Sequence, residues 1–399
     1  MPTARPIYLD ANATQPLHPA ARSAMLAAWD MTGNAASVHG AGRAARRLLE
    51  DSRESLAQSF GGRARDLIFT SGGTEADVLA LHALGTAPLG NLPLGNFPGA
   101  GRRLVISAIE HDAVRAVPSS STILPVHPDG TADMDALAAI LADGVPTLVC
   151  LMLANNETGV IQPVQQAAAL CRSRGALLHV DAVQAAGRMP VDLVALGAHS
   201  LALSSHKLGG PAGIGALLLA PDAPFAGPLI AGGGQELRRR GGTQPVALAA
   251  GFAAAAEANP AADRAANPHP LAALRDAAEA AAIQAGAIAI GTAAPRLPNT
   301  TCLALPGVRA DAQVIALDLD GIAVSAGAAC SSGKVAASHV LRAMGLGTLA
   351  GEAIRVSLPW NATQADIDAF AAAYRRMAGR LRPAFAPQLA PATPSRDVA

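Results

Sequence analysis

Lysine is almost missing from this 399-residue chain. Of its 30 basic residues only Lys207 and Lys334 are lysines, and the other 28 are arginines. Arginine replaces lysine readily on a solvated surface, but it is never a neutral amine at working pH and cannot form an imine. A lysine that survives this bias is a candidate for chemistry that needs an amine. The surroundings of Lys207 favour that interpretation, whereas Lys334 fits chance survival equally well.

Charge and cysteine are scarce as well. Charged residues make up 15% of the chain, and 30 acidic side chains balance the 30 basic ones. This balance excludes the footprint of a nucleic-acid binder and the polybasic clusters that hold proteins to membranes. No apolar run reaches the roughly 18 residues that cross a bilayer, and no signal peptide is recognisable. Four cysteines make no disulfide framework, and neither CxxC nor HExxH occurs. We expect a soluble, cytoplasmic, globular protein without a metal site.

Apolar residues, at 51% of the chain, suffice for more than one core, and the length favours two domains. Residues 16–258 alternate short apolar runs with helical segments, a pattern typical of a mostly parallel sheet covered by helices. From about Asn259 an Ala-rich helix is followed by mixed short strands and helices. We therefore assign 16–258 to a large domain, and 1–15 with 259–382 to a small α+β domain. Residues 383–399, rich in Ala and Pro, are expected to be a disordered tail.

Two polar side chains follow apolar strand candidates. Lys207 lies just after the strand that ends at Ser204, where ligands sit in open α/β sheets. A lysine there can form an imine with an aldehyde cofactor such as pyridoxal phosphate. Asp181 ends a second strand, and a carboxylate beside a pyridine nitrogen keeps that nitrogen protonated. A helix N-cap is the ordinary alternative for Asp181, but its pairing with Lys207 favours the cofactor.

Three further segments stand at strand ends, and each has an ordinary alternative. The Gly-rich turn from Thr70 to Glu75 leads into a helix N-terminus, which suits a phosphate but also fits a capped turn. It contains no lysine and is not a Walker loop. His111 can stack on a cofactor ring or be an ordinary loop histidine. The run Asn155–Glu157 offers neutral donors in a small space, or plain turn chemistry.

Cys330 is the candidate reactive thiol. It lies in a Gly/Ser-rich stretch, residues 325–334, that should be exposed and mobile, and Lys334 nearby favours its thiolate. A flexible linker that happens to hold a cysteine is the alternative. The remaining cysteines lie in apolar elements and are expected to be buried and inert: Cys150, Cys171 and Cys302.

Arg355 stands alone inside an apolar strand. Long charged side chains are seldom buried without a partner. A guanidinium at such a position suits a substrate carboxylate. A structural ion pair is the alternative.

Together these segments resemble the cysteine desulfurases, the NifS/IscS-like group of the class V aminotransferase family. The resemblance extends from Tyr8 to the strand that holds Arg355, and the segment from Ser338 to Gly345 also resembles that group. Any one motif would be weak, but their joint order and spacing are specific. The most specific segments are 33–39, 70–74, 155–159, 179–184, 205–207, 240–243 and 325–330.

The resemblance implies a fold and a set of site residues. The fold is α/β, the fold-type I of pyridoxal-phosphate-dependent transferases, with a mostly parallel seven-stranded sheet in the large domain and a small α+β C-terminal domain. It implies a homodimer in which Lys207 carries pyridoxal 5'-phosphate and His111 stacks on the ring and moves protons. The implied cofactor-binding residues are Lys207, Gly73, Thr74, His111, Asn156, Asp181, Gln184, Ser204, His206 and, from across the dimer, Thr243. The implied ligands of the substrate carboxylate are Asn34, Asn156 and Arg355.

The implied reaction removes sulfur from L-cysteine, releases L-alanine and leaves a persulfide on Cys330. Iron–sulfur scaffold proteins or other sulfur acceptors would receive the sulfur. The alternatives are a selenocysteine lyase or another class V enzyme such as an aminotransferase. Cys330 argues against a plain aminotransferase but does not separate sulfur from selenium. The sequence names no acceptor and leaves open whether Cys330 transiently ligates an iron–sulfur cluster.

Overall fold

The structure is a computed structural model that describes residues 6–85, 101–116, 121–259, 270–327 and 337–382. Its strands are β1 (Ile7–Tyr8), β2 (Leu67–Thr70), β3 (Arg103–Ser107), β4 (Thr122–Leu124), β5 (Thr147–Cys150), β6 (Leu177–Asp181), β7 (Ser200–Ser204), β8 (Gly215–Leu219), β9 (Ile288–Ile290), β10 (Thr300–Ala304), β11 (Ile322–Ala323), β12 (Ser325–Ala326) and β13 (Ala353–Ser357). Its helices are α1 (Pro19–Trp29), α2 (Gly40–Ser59), α3 (Gly73–Ala83), α4 (Asp112–Arg115), α5 (Met134–Ile140), α6 (Val164–Ser173), α7 (Leu193–Leu196), α8 (Val246–Ala258), α9 (Pro270–Gln284), α10 (Ala310–Leu319), α11 (His339–Ala343) and α12 (Gln364–Leu381).

The larger sheet has seven strands in the order β2-β8-β7-β6-β5-β3-β4. The neighbours from β7 to β4 pair in parallel, and β8 alone runs antiparallel to both of its neighbours. Every residue of β2, β5, β6, β7 and β8 is buried, as expected for strands covered on both faces. The predicted seven-stranded, mostly parallel sheet is confirmed. Since β2, β5, β6 and β7 point the same way, their carboxyl ends meet at one edge.

A smaller antiparallel sheet has the order β12-β13-β10-β9 and packs against α9, α10 and α12. It has its own hydrophobic core, which includes Phe370, Tyr374 and Ile354. Leu9 belongs to this second core, and β1 pairs with β11 in parallel. The N-terminal segment thus packs with the smaller sheet. The predicted domain boundaries at residues 15 and 258 stay predictions.

The helices of the described ranges include none with both the length and the hydropathy that a bilayer span requires.

Candidate active site

The polar segments at the carboxyl edge of the larger sheet surround one cavity of about 370 Å³. Parallel strands bring their carboxyl ends together, so residues far apart in sequence meet here. Most of the predicted cofactor residues line this cavity. They are Gly73, Thr74, His111, Asn156, Asp181, Gln184, Ser204, His206 and Lys207.

Lys207 lies in a single 3₁₀ turn, Ser205–Lys207, directly after β7. Its Nζ donates a hydrogen bond to the backbone oxygen of Asn12, 2.5 Å away. Burial lowers the pKa of Lys207 to about 7, and the nearby guanidinium groups of Arg355 and Arg188 contribute to this shift. A large fraction of this amine is therefore neutral near pH 7, as a nucleophilic lysine requires.

Asp181 ends β6 and is buried at the cavity wall. Its Oδ1 accepts a hydrogen bond from the backbone N–H of Val183 at 2.8 Å. Burial raises the pKa of Asp181 to about 7, and the neighbouring Asp77 carboxyl adds to the shift. A cation or an N–H donor placed in the cavity would stabilise this carboxylate.

Behind Asp181, a histidine on the same strand links two buried polar groups. His179 Nε2 lies 3.1 Å from Asp77 Oδ1, and its Nδ1 lies 2.8 Å from Ser200 Oγ. Burial lowers the pKa of His179 to about 4, so its ring is neutral at pH 7. Burial also raises the pKa of Asp77 well above its usual range. The sequence prediction did not include Asp77, whose only signal is an acid among the apolar residues of α3.

The first turn of α3 also lines the cavity. Gly72 precedes this 11-residue helix, and no side chain of the described ranges caps its N–H groups, so they are available to an anion. A Cβ on Gly73 would come within 2.8 Å of Val183 Cγ2, so a side chain at Gly73 would crowd this wall. His206 Nδ1 lies 3.2 Å from Thr14 Oγ1, and burial lowers the pKa of His206 to about 4.

Arg355 lies on β13 and is buried. Its Nη1 donates to the backbone oxygen of Asn156 at 3.1 Å, and its Nη2 forms an ion pair with Asp10 Oδ1 at 2.5 Å. Its Nε has no hydrogen-bond partner among the residues that the structure describes. The ion pair that the sequence left as an alternative is therefore present, yet the guanidinium still adjoins the backbone of a cavity residue.

Besides Arg355, two other predicted residues do not line the cavity. Asn34 lies in the exposed turn before α2, where its Oδ1 accepts a hydrogen bond from Ala36 N at 2.8 Å. Thr243 is exposed in the segment that precedes α8. The resemblance assigned Thr243 to the site of a second subunit, and that assignment stays a prediction.

Cys330 and Lys334 lie outside the described residues. Gly327, the last described residue before this segment, and Ser338, the second described residue after it, both adjoin the buried Glu157 carboxyl. Ser338 Oγ donates to Glu157 Oε2 at 2.6 Å, and burial raises the pKa of Glu157. The carboxyl that directly follows Asn156 therefore contacts both flanks of the segment that contains Cys330.

The other cysteines are buried, as predicted. Burial raises the pKa of the Cys171 thiol to about 12 and raises the pKa of Cys150 and Cys302 as well. Protonated, buried thiols are poor nucleophiles.

Asn12 is a residue that the sequence prediction missed. Its backbone oxygen accepts from Lys207 and also from Gln184 Nε2 at 3.1 Å. Its Nδ2 donates to Asn156 O at 3.1 Å and to Thr300 Oγ1 at 3.0 Å. The N-terminal segment therefore links the cavity to the smaller sheet. Nothing local in the sequence signals this role, because the side-chain hydrogen bonds of Asn12 and those to its backbone join positions 144 to 345 apart.

No group of three or more His, Cys, Asp or Glu side chains in the described ranges could hold a metal ion.

Comparison with known proteins assigns the chain to a family. The sequence pattern of the aminotransferase class-V family matches residues 7–370. A cysteine desulfurase of Cereibacter sphaeroides is 41% identical over 376 residues, covering 91% of this chain and 93% of that protein. An IscS-like cysteine desulfurase of Mycobacterium tuberculosis is 38% identical, also covering 91% and 93%. A solved NifS-like protein from Rickettsia africae superposes with a TM-score of 0.82 at 31% identity, covering 94% of this chain and 99% of that one. The chain therefore belongs to the aminotransferase class-V family, within its NifS/IscS-like cysteine desulfurases.

Proposed function

We propose that this chain acts as a cysteine desulfurase on L-cysteine, releasing L-alanine and leaving the sulfur as a persulfide on Cys330. One observation carries the proposal: a partly neutral amine, Lys207, and a buried carboxyl, Asp181, line the same cavity as an uncapped helix N-terminus. The three groups match three chemically different parts of one cofactor.

The donors and acceptors of the cavity fit pyridoxal 5'-phosphate, on which the class V family depends. Lys207 would hold the aldehyde carbon and Asp181 the pyridine nitrogen. The phosphate would bind at the start of α3, where a glycine leaves the wall clear. When bound, the cofactor supplies an electron sink next to the substrate. The phosphate-binding groups would be Gly73, Thr74, Ser204, His206 and, from a second subunit, Thr243.

His111 is proposed to cover the cofactor ring and to move protons. Its Nδ1 accepts a hydrogen bond from Ala113 N at 3.1 Å, which leaves Nε2 to carry the proton of the neutral ring. Gln184 and Asn156 would contact the ring hydroxyl region.

Arg355, Asn156 and Asn34 are proposed to hold the carboxylate of L-cysteine. The Arg355 guanidinium would donate a hydrogen bond to this second carboxylate from Nε, which has no partner among the described residues. Lys207 Nζ, once neutral, moves the proton of the substrate's α-carbon.

The Cys330 thiolate then attacks the substrate's sulfur. A new S–S bond forms as the substrate's C–S bond breaks, and the electron pair of that bond stays with carbon, which takes up a proton to become alanine. The persulfide would pass to iron–sulfur scaffold proteins or other sulfur acceptors, and the enzyme would work as a homodimer.

The test combines visible absorbance of the purified protein with assays of alanine and sulfide after L-cysteine is added. Cys330→Ala should keep the cofactor's absorbance and lose alanine release. Cys171→Ala is the matched control and should behave as the parent protein, because its thiol is buried and protonated. A colourless protein that takes up no pyridoxal phosphate would refute the proposal, and so would undiminished turnover in Cys330→Ala.

A further inference from the structure

Arg188 is a buried arginine next to the cavity that lacks an acidic partner. Arg188 is only 4% exposed, and no carboxylate of the described residues lies within ion-pair distance of its guanidinium. Burial lowers the pKa of Arg188 to about 9, and the guanidinium of Arg355 adds to the shift. An unpaired buried charge is costly, so a residue kept only for packing would be better replaced by an apolar side chain.

The turn after β6 holds this guanidinium close to the site. Gly187, immediately before it, has φ +77°, a left-handed conformation that favours glycine. A Cβ there would come within 2.9 Å of Leu208 Cβ, so the turn after β6 packs tightly on the segment that follows Lys207. The turn thereby brings Arg188 beneath the cavity rather than out to solvent.

The acceptors of Arg188 are all neutral oxygens, and two of the three residues that supply them, Gln184 and Lys207, line the cavity. Nη1 donates to the backbone oxygen of Gln184 at 2.7 Å and to its side-chain Oε1 at 2.5 Å. Nη2 donates to Ala11 O at 3.1 Å and to Lys207 O at 3.3 Å. One guanidinium thus joins the N-terminal segment, the turn after β6 and the segment of the nucleophilic lysine.

The bond from Arg188 to Oε1 acts together with the bond from Nε2 to Asn12 O to fix the orientation of the Gln184 amide. A guanidinium has donors only, so it can bind the oxygen of the amide and never its NH2 group. The NH2 group must then point away from Arg188. One of its hydrogens meets Asn12 O at 3.1 Å, and Gln184 lines the cavity. The second N–H is left to donate to a ligand.

We propose that Arg188 is a positioning residue that fixes the Gln184 amide with its NH2 group toward the cavity, so that the site selects a cofactor whose ring oxygen is an acceptor. The inference rests on the proposed binding of pyridoxal phosphate and adds a residue to it. Without Arg188 the amide could turn, and its oxygen would then repel an ionised ring oxygen. The guanidinium acts through Gln184 and need not touch the cofactor.

A double-mutant cycle tests this coupling on the full-length protein. The variants are Arg188→Met, Gln184→Ala, and the two combined, each stripped of cofactor and titrated with pyridoxal phosphate. Two quantities are measured at about pH 8.5, at which Lys207, with a pKa of about 7, is mostly neutral in every variant. They are the dissociation constant of the cofactor and the ratio of its two absorbance bands, which reports protonation beside the ring oxygen. Arg275→Met is the control, since Arg275 also donates to a backbone oxygen, that of Leu297 at 3.0 Å, but away from the cavity.

We expect each single variant to weaken cofactor binding by about 5- to 10-fold, the loss of one hydrogen bond, and to shift the band ratio. The combined variant should bind no more weakly than Gln184→Ala, because Arg188 then has no amide left to orient. Additive losses would overturn the proposal. The control should leave both quantities unchanged.

Arg188→Lys separates orientation from charge. An ammonium keeps the positive charge but cannot reproduce the fork that binds Gln184 and Lys207 at once. We expect it to resemble Arg188→Met, and full recovery would overturn the proposal in favour of a charge effect. If Arg188→Met does not fold, Arg188→Lys takes its place in the cycle.

If the parent protein binds no pyridoxal phosphate, the proposed function fails and this inference fails with it. If the parent binds the cofactor and the cycle is additive, only the role of Arg188 fails.

Discussion

The acidic and the basic groups around the cavity differ in the sign of the charge they can carry, but burial shifts both sets towards their neutral forms. Asp77, Glu110 and Asp181 lie close together, and burial raises the pKa of all three. Burial lowers the pKa of Lys207 to about 7 and that of Arg188 to about 9. A ligand with a cationic ring nitrogen beside the acids and anionic oxygens beside the bases would favour the charged forms of both sets.

A buried ion pair elsewhere in the fold shows the contrast. Arg53 binds both carboxylate oxygens of Glu236, at 2.6 and 2.8 Å, and this pairing raises the pKa of Arg53 despite its burial and lowers that of Glu236. The pair also anchors Glu236 and Leu237 in left-handed conformations, with φ of 48° and 55°. Arg53 and Glu236 thus match each other within the protein, whereas Asp181 and Arg188 have no ion-pair partner among the described residues.

Removing the amine should have the largest effect. Lys207→Ala should reduce alanine release by about 10³-fold or more, because both cofactor attachment and proton transfer depend on Nζ. Lys334→Ala removes the chain's other lysine and serves as the control for cofactor attachment, which it should leave unchanged. Alanine release and cofactor absorbance are measured together, because Lys334 is expected to act on the Cys330 thiolate and not on the cofactor. An equal loss of cofactor absorbance in both variants would show that the cavity does not distinguish Lys207.

Replacing the buried carboxyl of Asp181 should have the next largest effect. Asp181→Asn should lower kcat by about 10²-fold, because an amide cannot carry the negative charge that a protonated ring nitrogen needs. Asp77→Asn serves as the comparison and should lower kcat by less than about 10-fold. The Asp77 carboxyl bonds His179 and is expected to influence the cofactor only through its charge, without contacting the ring. Steady-state kinetics with L-cysteine measures both. A larger loss for Asp77→Asn would reverse the roles of the two acids.

Arg355→Met tests the proposed contact between this guanidinium and the carboxylate of L-cysteine. The KM for L-cysteine should rise by about 10- to 100-fold while the cofactor's absorbance stays unchanged, because a charged hydrogen bond to the substrate is lost. Arg296→Met is the control, since Arg296 is also buried and paired with a carboxylate, Glu279, at 2.6 Å. An equal rise in KM in the control would mean that any lost buried ion pair disturbs the site.

The sequence predicted the strand-end residues well for a physical reason. Parallel strands place their carboxyl ends at one edge, so Asp181, Ser204 and Lys207 had to meet once the strands were recognised. The mostly parallel sheet followed from the same alternation of apolar runs and helices, whereas its seven strands were implied by the family resemblance.

Residues whose role depends on packing between distant segments were not predictable in this way. Asn12 and Asp10 reach the cavity only because β1 pairs with β11 and the N-terminal segment crosses to Ser357. Arg188 looks like any other of the 28 arginines until its burial is known. The ion pair between Asp10 and Arg355 joins positions 345 apart, and no local pattern indicates it.

The smallest effect concerns pH and the amine itself. Lys207 reacts with an aldehyde only when neutral, and its pKa is lowered to about 7. The rate at which cofactor-free protein takes up pyridoxal phosphate should therefore rise with pH and level off above pH 7, falling about fivefold from pH 7 to pH 6. An ordinary lysine, with a pKa of 10.5, would keep gaining reactivity up to about that pH.

Stopped-flow absorbance measures the rate, and the reaction of a free lysine derivative over the same pH range corrects for ionisation of the cofactor. Arg188→Met should move the midpoint upward, because one of the cations that disfavours the charged amine is removed. A corrected rate that climbs without levelling to pH 10 would show that the cavity leaves the amine unperturbed.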